Sequence, residues 1–171
     1  EGMVDIVGTN SINKRVATSL LPVSKSGVVL LFAKNAIYKS FQESRSTIIM
    51  DSKNYKFSKY FVYDKLDQIQ KYNKLTFGKS SIDSLIISGN DFEIGKYLHY
   101  YQPFLNEDSN VFLVRNGLGI DFISTIHRLF IKKETPLPKF YHATTNHLIE
   151  KTAESDYSYK HVGIGNIKLS R

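Results

Sequence analysis

Apolar positions occur along the chain in short uninterrupted runs, and these runs alternate with stretches of helical periodicity. An uninterrupted run such as residues 28–32 predicts a strand that is buried on both faces of a sheet. Residues 12–21 repeat their apolar positions at helical spacing, which predicts a helix between that strand and a first strand at residues 4–8. A strand, a helix and a strand in this order predict a βαβ unit with two parallel strands.

The same two periodicities predict the rest of the fold. Alternating positions over residues 47–63 predict two antiparallel strands that turn at 52–54, and residues 66–75 have the spacing of a helix or an ordered loop. Further helices are predicted over residues 35–44, 92–104 and 120–130, and further strands over residues 82–88, 111–114, 140–143 and 164–169. This alternation predicts an α/β fold: a Rossmann-like, doubly wound, mostly parallel sheet with an antiparallel strand pair, in a single domain over residues 3–171.

Composition excludes several classes of protein. The chain has 171 residues, of which 42% are hydrophobic, and this suits one compact domain. It contains no apolar run long enough to span a membrane. With no cysteine, it can form neither disulfides nor thiolate zinc sites, and it has no cysteine nucleophile. Neither a signal peptide nor an Arg-rich leader opens the chain, so we expect an intracellular protein, cytoplasmic rather than mitochondrial.

The net charge of +7 favours polyanionic partners such as nucleic acid, an acidic protein surface or ligand phosphates, although it also serves solubility. Residues 53–79 concentrate this charge between aromatic residues. Two interpretations stay open: a surface for single-stranded RNA, or inward aromatic side chains with lysines outside. The cations are Lys53, Lys56, Lys59, Lys65, Lys71, Lys74 and Lys79, and the aromatic residues are Tyr55, Phe57, Tyr60, Phe61, Tyr63, Tyr72 and Phe77.

The sequence Asn116-Gly117-Leu118-Gly119 follows a predicted buried strand. In open α/β sheets, ligands bind beyond the carboxyl ends of the parallel strands. The two glycines permit a sharp turn and a close approach of the backbone to a ligand, while the asparagine supplies an amide donor and acceptor. An ordinary Asn-Gly turn is the alternative interpretation.

This motif closes a longer stretch that resembles the ketopantoate reductase (2-dehydropantoate 2-reductase) family. Residues 82–119 are similar to the family's run of strand, helix, strand and QNGLG motif. GTNSIN at residues 8–13 occupies the position of its dinucleotide-binding glycine loop. Residues 143–147 and 161–165 resemble its Gly-Thr-Thr-Thr-His and His-x-Gly-x-Gly segments. The resemblance implies the amino-terminal, NADPH-binding half of a 2-keto acid reductase, and we expect the family's helical carboxyl-terminal domain to be absent from this chain.

The resemblance also implies which residues would hold NADPH if the site is retained. The pyrophosphate would lie on the glycine loop, the ribose 2′-phosphate near a cation after the second strand, and the nicotinamide end near the NGLG motif. The corresponding residues are Gly8, Thr9, Asn10, Ser11, Lys34, Asn116 and Gly117.

Three positions depart from the family pattern. Asn10 and Asn13 replace small residues of the glycine loop, and the side chain of Asn10 would intrude where the pyrophosphate rests. Lys34 replaces the usual arginine and lacks its bidentate fork. Asn90 stands at the position of the family's lysine, and an amide cannot neutralise a carboxylate or a developing alkoxide as an ammonium does.

We therefore predict a degenerate, fungal-type relative of this family, a pseudoenzyme without catalytic residues and without a cofactor. It would serve as a binding or scaffolding module for a protein or RNA partner, as do some similar fungal proteins, including a mitochondrial translational activator. The alternative is an NADPH-dependent reductase of 2-dehydropantoate or another 2-keto acid. A metal site is not expected, because His142, His147 and His161 lack the partners and the spacing of a zinc site.

Overall fold

The computed structural model describes residues 4–7, 28–32, 34–78, 81–88, 91–114, 124, 126–145, 148–153, 157–163 and 167–170. The helix predicted over residues 12–21 lies outside this part of the chain. In chain order the described elements are β1 (Val4–Val7), β2 (Val28–Phe32), α1 (Asn35–Glu43), β3 (Thr47–Met50), β4 (Lys53–Lys56), β5 (Tyr60–Val62), α2 (Leu66–Phe77), β6 (Ser84–Ser88), α3 (Asp91–Tyr101), β7 (Asn110–Val114), β8 (Lys139–Thr145), β9 (Leu148–Lys151), β10 (Ser158–Gly163) and β11 (Ile167–Ser170).

Seven of the described strands form one sheet in the order β11-β8-β7-β6-β1-β2-β5. All neighbours in it are parallel except β11, which runs antiparallel to β8 at the edge. From β1 the chain proceeds to β2 and β5 on one side, then returns to β6 on the other side. This is the strand order of a doubly wound α/β fold, so the predicted fold class is confirmed.

The central strands are apolar because both faces of the sheet are covered. On one face, Leu85 and Leu113 pack with residues of α2 and α3 in a single buried cluster. On the other face, Leu30 and Ile86 share a second cluster with α1 and the β3–β10 pair. Among the described residues, no helix has the length and the apolar character needed to cross a bilayer.

Residues 66–77 form a helix and not an ordered loop, which were the two structures predicted for this segment. Gly78 caps the carboxyl end of α2 and has a left-handed φ of 74°. The N–H of Gly78 donates to the carbonyl of Lys74. Glycine suits this position because it adopts positive φ without steric cost. The helix predicted over residues 92–104 is α-helical only to Tyr101, and Gln102–Phe104 continue as a 3₁₀ turn that contains Pro103.

The prediction for residues 47–63 was wrong in its strand count and its turn. The hairpin is β3 and β4 alone, and its turn is Asp51-Ser52, with φ values of 51° and 64°. Tyr60–Val62 form a third strand that pairs in parallel with β2 in the large sheet. The alternation of apolar residues continues through both β4 and β5, so periodicity alone did not show that the chain changes sheets between them.

A second, four-stranded sheet has the order β4-β3-β10-β9, and only its β3–β4 hairpin was anticipated. The parallel pairing of β10 with β3 joins residues more than a hundred positions apart in the sequence. The other strand predictions hold with shifted ends: β8 begins at Lys139, and the described part of the last strand begins at Ile167. Of the helix predicted over residues 120–130, the described part ends in a π-helical turn, His127–Ile131.

Candidate functional site

The carboxyl ends of the central strands reach the same edge of the large sheet. In the register, Val7 of β1 is level with Leu31 of β2 and with Ile87 of β6. Ser88 at the end of β6 is likewise level with Val114 at the end of β7. The strand order reverses between β1 and β6, and such a reversal opens a crevice in which α/β sheets bind ligands. We call this edge the carboxyl-edge crevice.

Most of the residues expected to hold a cofactor lie outside the described residues: Gly8, Thr9, Asn10, Ser11, Asn116 and Gly117. Their neighbours in sequence are described. Gly8 follows the last residue of β1 directly, and Asn116 comes two residues after the last residue of β7. β1 and β7 therefore bring the chain to the carboxyl-edge crevice immediately before residues 8–11 and 116–117, respectively.

Lys34 is the one expected cofactor contact within the described part of the chain. It lies between β2 and α1, in extended conformation with φ of −142° and ψ of 147°, and its side chain is exposed. Its carbonyl accepts the N–H of Tyr38 at 3.1 Å, which begins α1. No ion pair joins Lys34 to another described residue, so a single ammonium is presented to solvent beyond the end of β2.

Ser88 was not singled out from the sequence as a site residue, yet the structure places it at the crevice. It is the last residue of β6 and only 2% exposed, and its Oγ has no hydrogen-bond partner within the described part of the chain. A buried hydroxyl without a partner costs about 1–3 kcal/mol. The available signal was a serine that closes an apolar strand at its carboxyl end, where a ligand could accept or donate a hydrogen bond.

Lys96, the first lysine after residue 90, is engaged elsewhere. Its Nζ lies 4.8 Å from the ring centroid of Tyr63 and 5.7 Å from that of Tyr97. A hydrogen bond with the Tyr63 side chain raises the pKa of Lys96 above 10.5, against a smaller opposing effect of desolvation. Burial raises the pKa of Tyr97 above 10.0, and the nearby Lys96 partly opposes this. Lys96 therefore contributes to packing between α3 and the end of β5.

The aromatic residues between 53 and 79 point inward wherever they are described with side chains. Phe57 and Tyr63 are buried, and Phe61 and Tyr72 pack against the core. The described lysines are exposed on both the second sheet and α2, and Lys59 lies over the Tyr72 ring at 5.2 Å. This arrangement matches the interpretation of inward aromatic side chains with lysines outside.

The histidines do not converge on a metal site in the described part of the chain. His142 is buried in β8, while His147 lies outside the described residues. Within these residues, no three side chains of His, Asp or Glu are grouped so that they could hold a metal ion.

Comparison with known proteins identifies relatives of known class. No protein-family model matches the chain. A probable 2-dehydropantoate 2-reductase of Schizosaccharomyces pombe is 24% identical over 168 residues, which are 97% of this chain and 46% of that protein. A 2-dehydropantoate 2-reductase of Saccharomyces cerevisiae is 29% identical over 119 residues, 68% of this chain and 30% of that protein. The chain thus spans less than half the length of these curated relatives.

Solved structures share the fold. A D-mandelate dehydrogenase, crystallised with NADH and anilino(oxo)acetate, superposes with a TM-score of 0.69 at 17% identity. The match covers 98% of this chain and 47% of the dehydrogenase. At this identity the likeness establishes the Rossmann-like architecture, and the chemistry must be argued from this chain's own residues.

Proposed function

We propose that this chain is a binding module without reductase activity. The premise is that it is a relative of the ketopantoate reductase family and corresponds to the amino-terminal domain of that family. The proposal takes residues 3–171 as one domain that keeps the dinucleotide-binding architecture. It assigns the domain a protein partner rather than a redox reaction.

The observation that carries this proposal is the connection between β6 and α3. The strand ends at Ser88 and the helix begins at Asp91, so only Gly89 and Asn90 separate them. By resemblance, residue 90 is the position of the family's lysine, and neither connecting residue carries a positive charge. In a reductase, an ammonium there would stabilise the charge that develops on the substrate oxygen. Lys96 does not replace it, because it packs over Tyr63.

The glycine loop supports the same proposal. A dinucleotide site needs small residues where the backbone approaches the pyrophosphate, and this chain has Asn10 and Asn13 at two such positions. The amino terminus of a helix still attracts anions through its dipole, but the Asn10 side chain would occupy part of the phosphate space. Both the chemical step and cofactor binding are therefore weakened.

NADPH titration of the purified chain tests the proposal. We expect no saturable change in NADPH fluorescence or melting temperature at micromolar cofactor, and no oxidation of NADPH when 2-dehydropantoate is added. The variant Asn10→Gly/Asn13→Gly should strengthen NADPH binding by about tenfold or more, since it restores small residues to the loop. Asn54→Gly, in the exposed strand β4, is the matched control and should change nothing in this titration.

Saturable micromolar binding together with turnover would contradict the proposal and favour a reductase. The names of both curated relatives support this second candidate, in which NADPH is the cofactor. Gly8 to Ser11 would then hold the pyrophosphate, Lys34 the 2′-phosphate and Asn116 the nicotinamide end. A reductase of this kind should lose affinity for NADPH, but not for NADH, in the variant Lys34→Glu.

A further inference from the structure

A short basic segment at the opposite edge of the large sheet has the properties of an interaction surface. We propose that residues 127–139, which we call the basic turn, dock an acidic segment of a partner protein that also carries aliphatic side chains. The basic turn enters β8 at Lys139, which is level with Asn110 at the amino end of β7. Because it lies away from the carboxyl-edge crevice, this surface is independent of whether the crevice binds a dinucleotide.

Hydrogen bonds within the basic turn stabilise its backbone conformation. The N–H of Lys132 donates to the carbonyl of His127 at 2.8 Å and closes the π-helical turn. The N–H of Thr135 donates to the carbonyl of Phe130 at 3.0 Å, and the Thr135 hydroxyl donates to the carbonyl of Leu129 at 3.2 Å. A rigid surface loses little conformational entropy when a partner binds.

Two buried side chains anchor the turn to the domain. Leu129 and Phe130 belong to the buried cluster beneath the sheet, and the Phe130 ring meets Phe140 of β8 edge-on at 5.5 Å. Glu134 has φ of 53°, an unusual value for a residue with a side chain. Backbone strain of this kind persists where the surroundings impose it, and it often accompanies function.

Positive charge dominates the exposed part of the basic turn. Arg128, Lys132, Lys133 and Lys139 are all exposed, and Glu134 is the only carboxylate between residues 127 and 139. None of these cations forms an ion pair with another residue in the described ranges. Charge complementarity therefore requires an acidic partner, and several neighbouring cations speed its association.

Two aliphatic side chains are exposed among these cations. Ile131 is 55% exposed and Leu137 is 46% exposed. Covering them would add apolar burial, at about 25 cal/mol per Å² of apolar surface, to the electrostatic attraction. An acidic segment with aliphatic residues satisfies both features at once.

Other polyanions fit the basic turn less well. Single-stranded RNA binds through stacking on aromatic side chains, whereas the one Phe, Tyr or Trp of this segment, Phe130, is buried. A membrane surface generally requires a longer amphipathic face with several large apolar residues. RNA and anionic lipid therefore enter as competing outcomes of the test.

Fluorescence anisotropy with a labelled peptide tests this surface. The probe contains glutamate and leucine in a glycine-serine background, and a second probe contains glutamate only. We expect Lys132→Glu/Lys133→Glu to weaken binding of the first probe by about tenfold or more. Lys71→Glu/Lys74→Glu makes the same charge change on the exposed face of α2 and should weaken it by less than about threefold.

A third variant separates apolar contact from charge. Ile131→Ser should weaken binding of the leucine-containing probe and leave the glutamate-only probe unaffected. Equal effects of the two charge reversals, no peptide binding, or lysine-dependent binding of poly(U) or anionic vesicles in place of the peptide would each overturn the inference. NADPH titrated into the same samples reports on the carboxyl-edge crevice separately, so the failure of one proposal is distinguishable from the failure of the other.

Discussion

The two sheets of this molecule are built on different principles. In the large sheet, central strands such as β6 are apolar on both faces and pair in parallel with their neighbours. In the small sheet, β3 alternates buried and half-buried positions, and its neighbour β4 is mostly exposed. A strand buried on both faces is specified by its own sequence, whereas a strand buried on one face depends on the element that covers it.

Phe41 of α1 joins the two sheets. Its ring is 0% exposed and lies 5.0 Å from that of Phe32 in the large sheet. It also lies 5.1 Å from the ring of Tyr157, just before β10, and 6.5 Å from that of Phe57 after β4. Phe41 therefore packs between a strand of the large sheet and residues that flank two strands of the small sheet.

Among the substitutions that test the difference between the sheets, Phe41→Ala should have the largest effect on stability. We expect the free energy of unfolding to fall by about 3–5 kcal/mol, because the change leaves a cavity between the sheets. Urea denaturation measures the loss, and hydrogen exchange should show β3 and β4 losing protection before β6 and β7. Phe92→Ala is the matched control: this ring is 79% exposed, and its removal should cost less than about 0.5 kcal/mol. Equal losses in both variants would contradict the role of Phe41.

A second substitution tests the large sheet at its amino edge. The Ser109 hydroxyl is buried, donates to the carbonyl of Ile82 at 2.6 Å and accepts the N–H of Asn106 at 3.0 Å. Ser109→Ala leaves both partners unsatisfied and should lower the free energy of unfolding by about 1–3 kcal/mol. Thermal or urea unfolding measures this, with the exposed Ser58→Ala as control. A stability unchanged from that of the parent chain would show that solvent replaces these bonds.

The hairpin of the small sheet offers a smaller, stabilising change. Ser52 adopts φ of 64° in the β3–β4 turn, a conformation that costs a residue with a side chain more than glycine. Ser52→Gly should therefore stabilise the protein by about 0.5–1 kcal/mol and raise Tm by about 1–4 °C. Ser58→Gly, at a position without positive φ, should leave Tm unchanged or lower it. A similar rise in both variants would indicate a cause other than turn geometry.

The difference between the sheets also explains what could be predicted from the sequence. Uninterrupted apolar runs specified β2, β6 and β7 locally, and the βαβ pattern predicted the parallel pairing of β1 with β2. Strand β10 carries a lysine and a histidine, and its parallel partner β3 is distant in sequence, so its place depended on tertiary contacts. Strand β5 is only three residues long, and its alternation continues that of the preceding hairpin.

The candidate site also contains one feature that local sequence predicts and others that depend on tertiary contacts. The position of Lys34 after β2 could be predicted, because a strand and a helix on either side of it were both evident from sequence. The burial of the Ser88 hydroxyl could not, since it depends on what covers β6. The contact of the Lys96 ammonium with the Tyr63 ring could not be predicted either, because it joins residues from α3 and the end of β5.

Alkaline pH should destabilise the face of the large sheet that α3 covers. Burial raises the pKa of Tyr97 above 10.0, so the folded protein holds the phenol proton more tightly than the unfolded chain. This contribution to stability is fully present below the unfolded pKa and is lost as the pH rises through the folded pKa. Tyr97→Phe should therefore reduce the decline in the free energy of unfolding above pH 10.0, as measured by urea denaturation at several pH values.

Some decline should remain in the Tyr97→Phe variant. The pKa of Lys96 is also raised, by its hydrogen bond with Tyr63, and loss of that proton at high pH removes a favourable contact on the same face of the sheet. In the double variant Tyr97→Phe/Lys96→Met the decline should be smaller still. If all three proteins lost stability in parallel above pH 10.0, the alkaline sensitivity would have to lie outside the contact between α3 and β5.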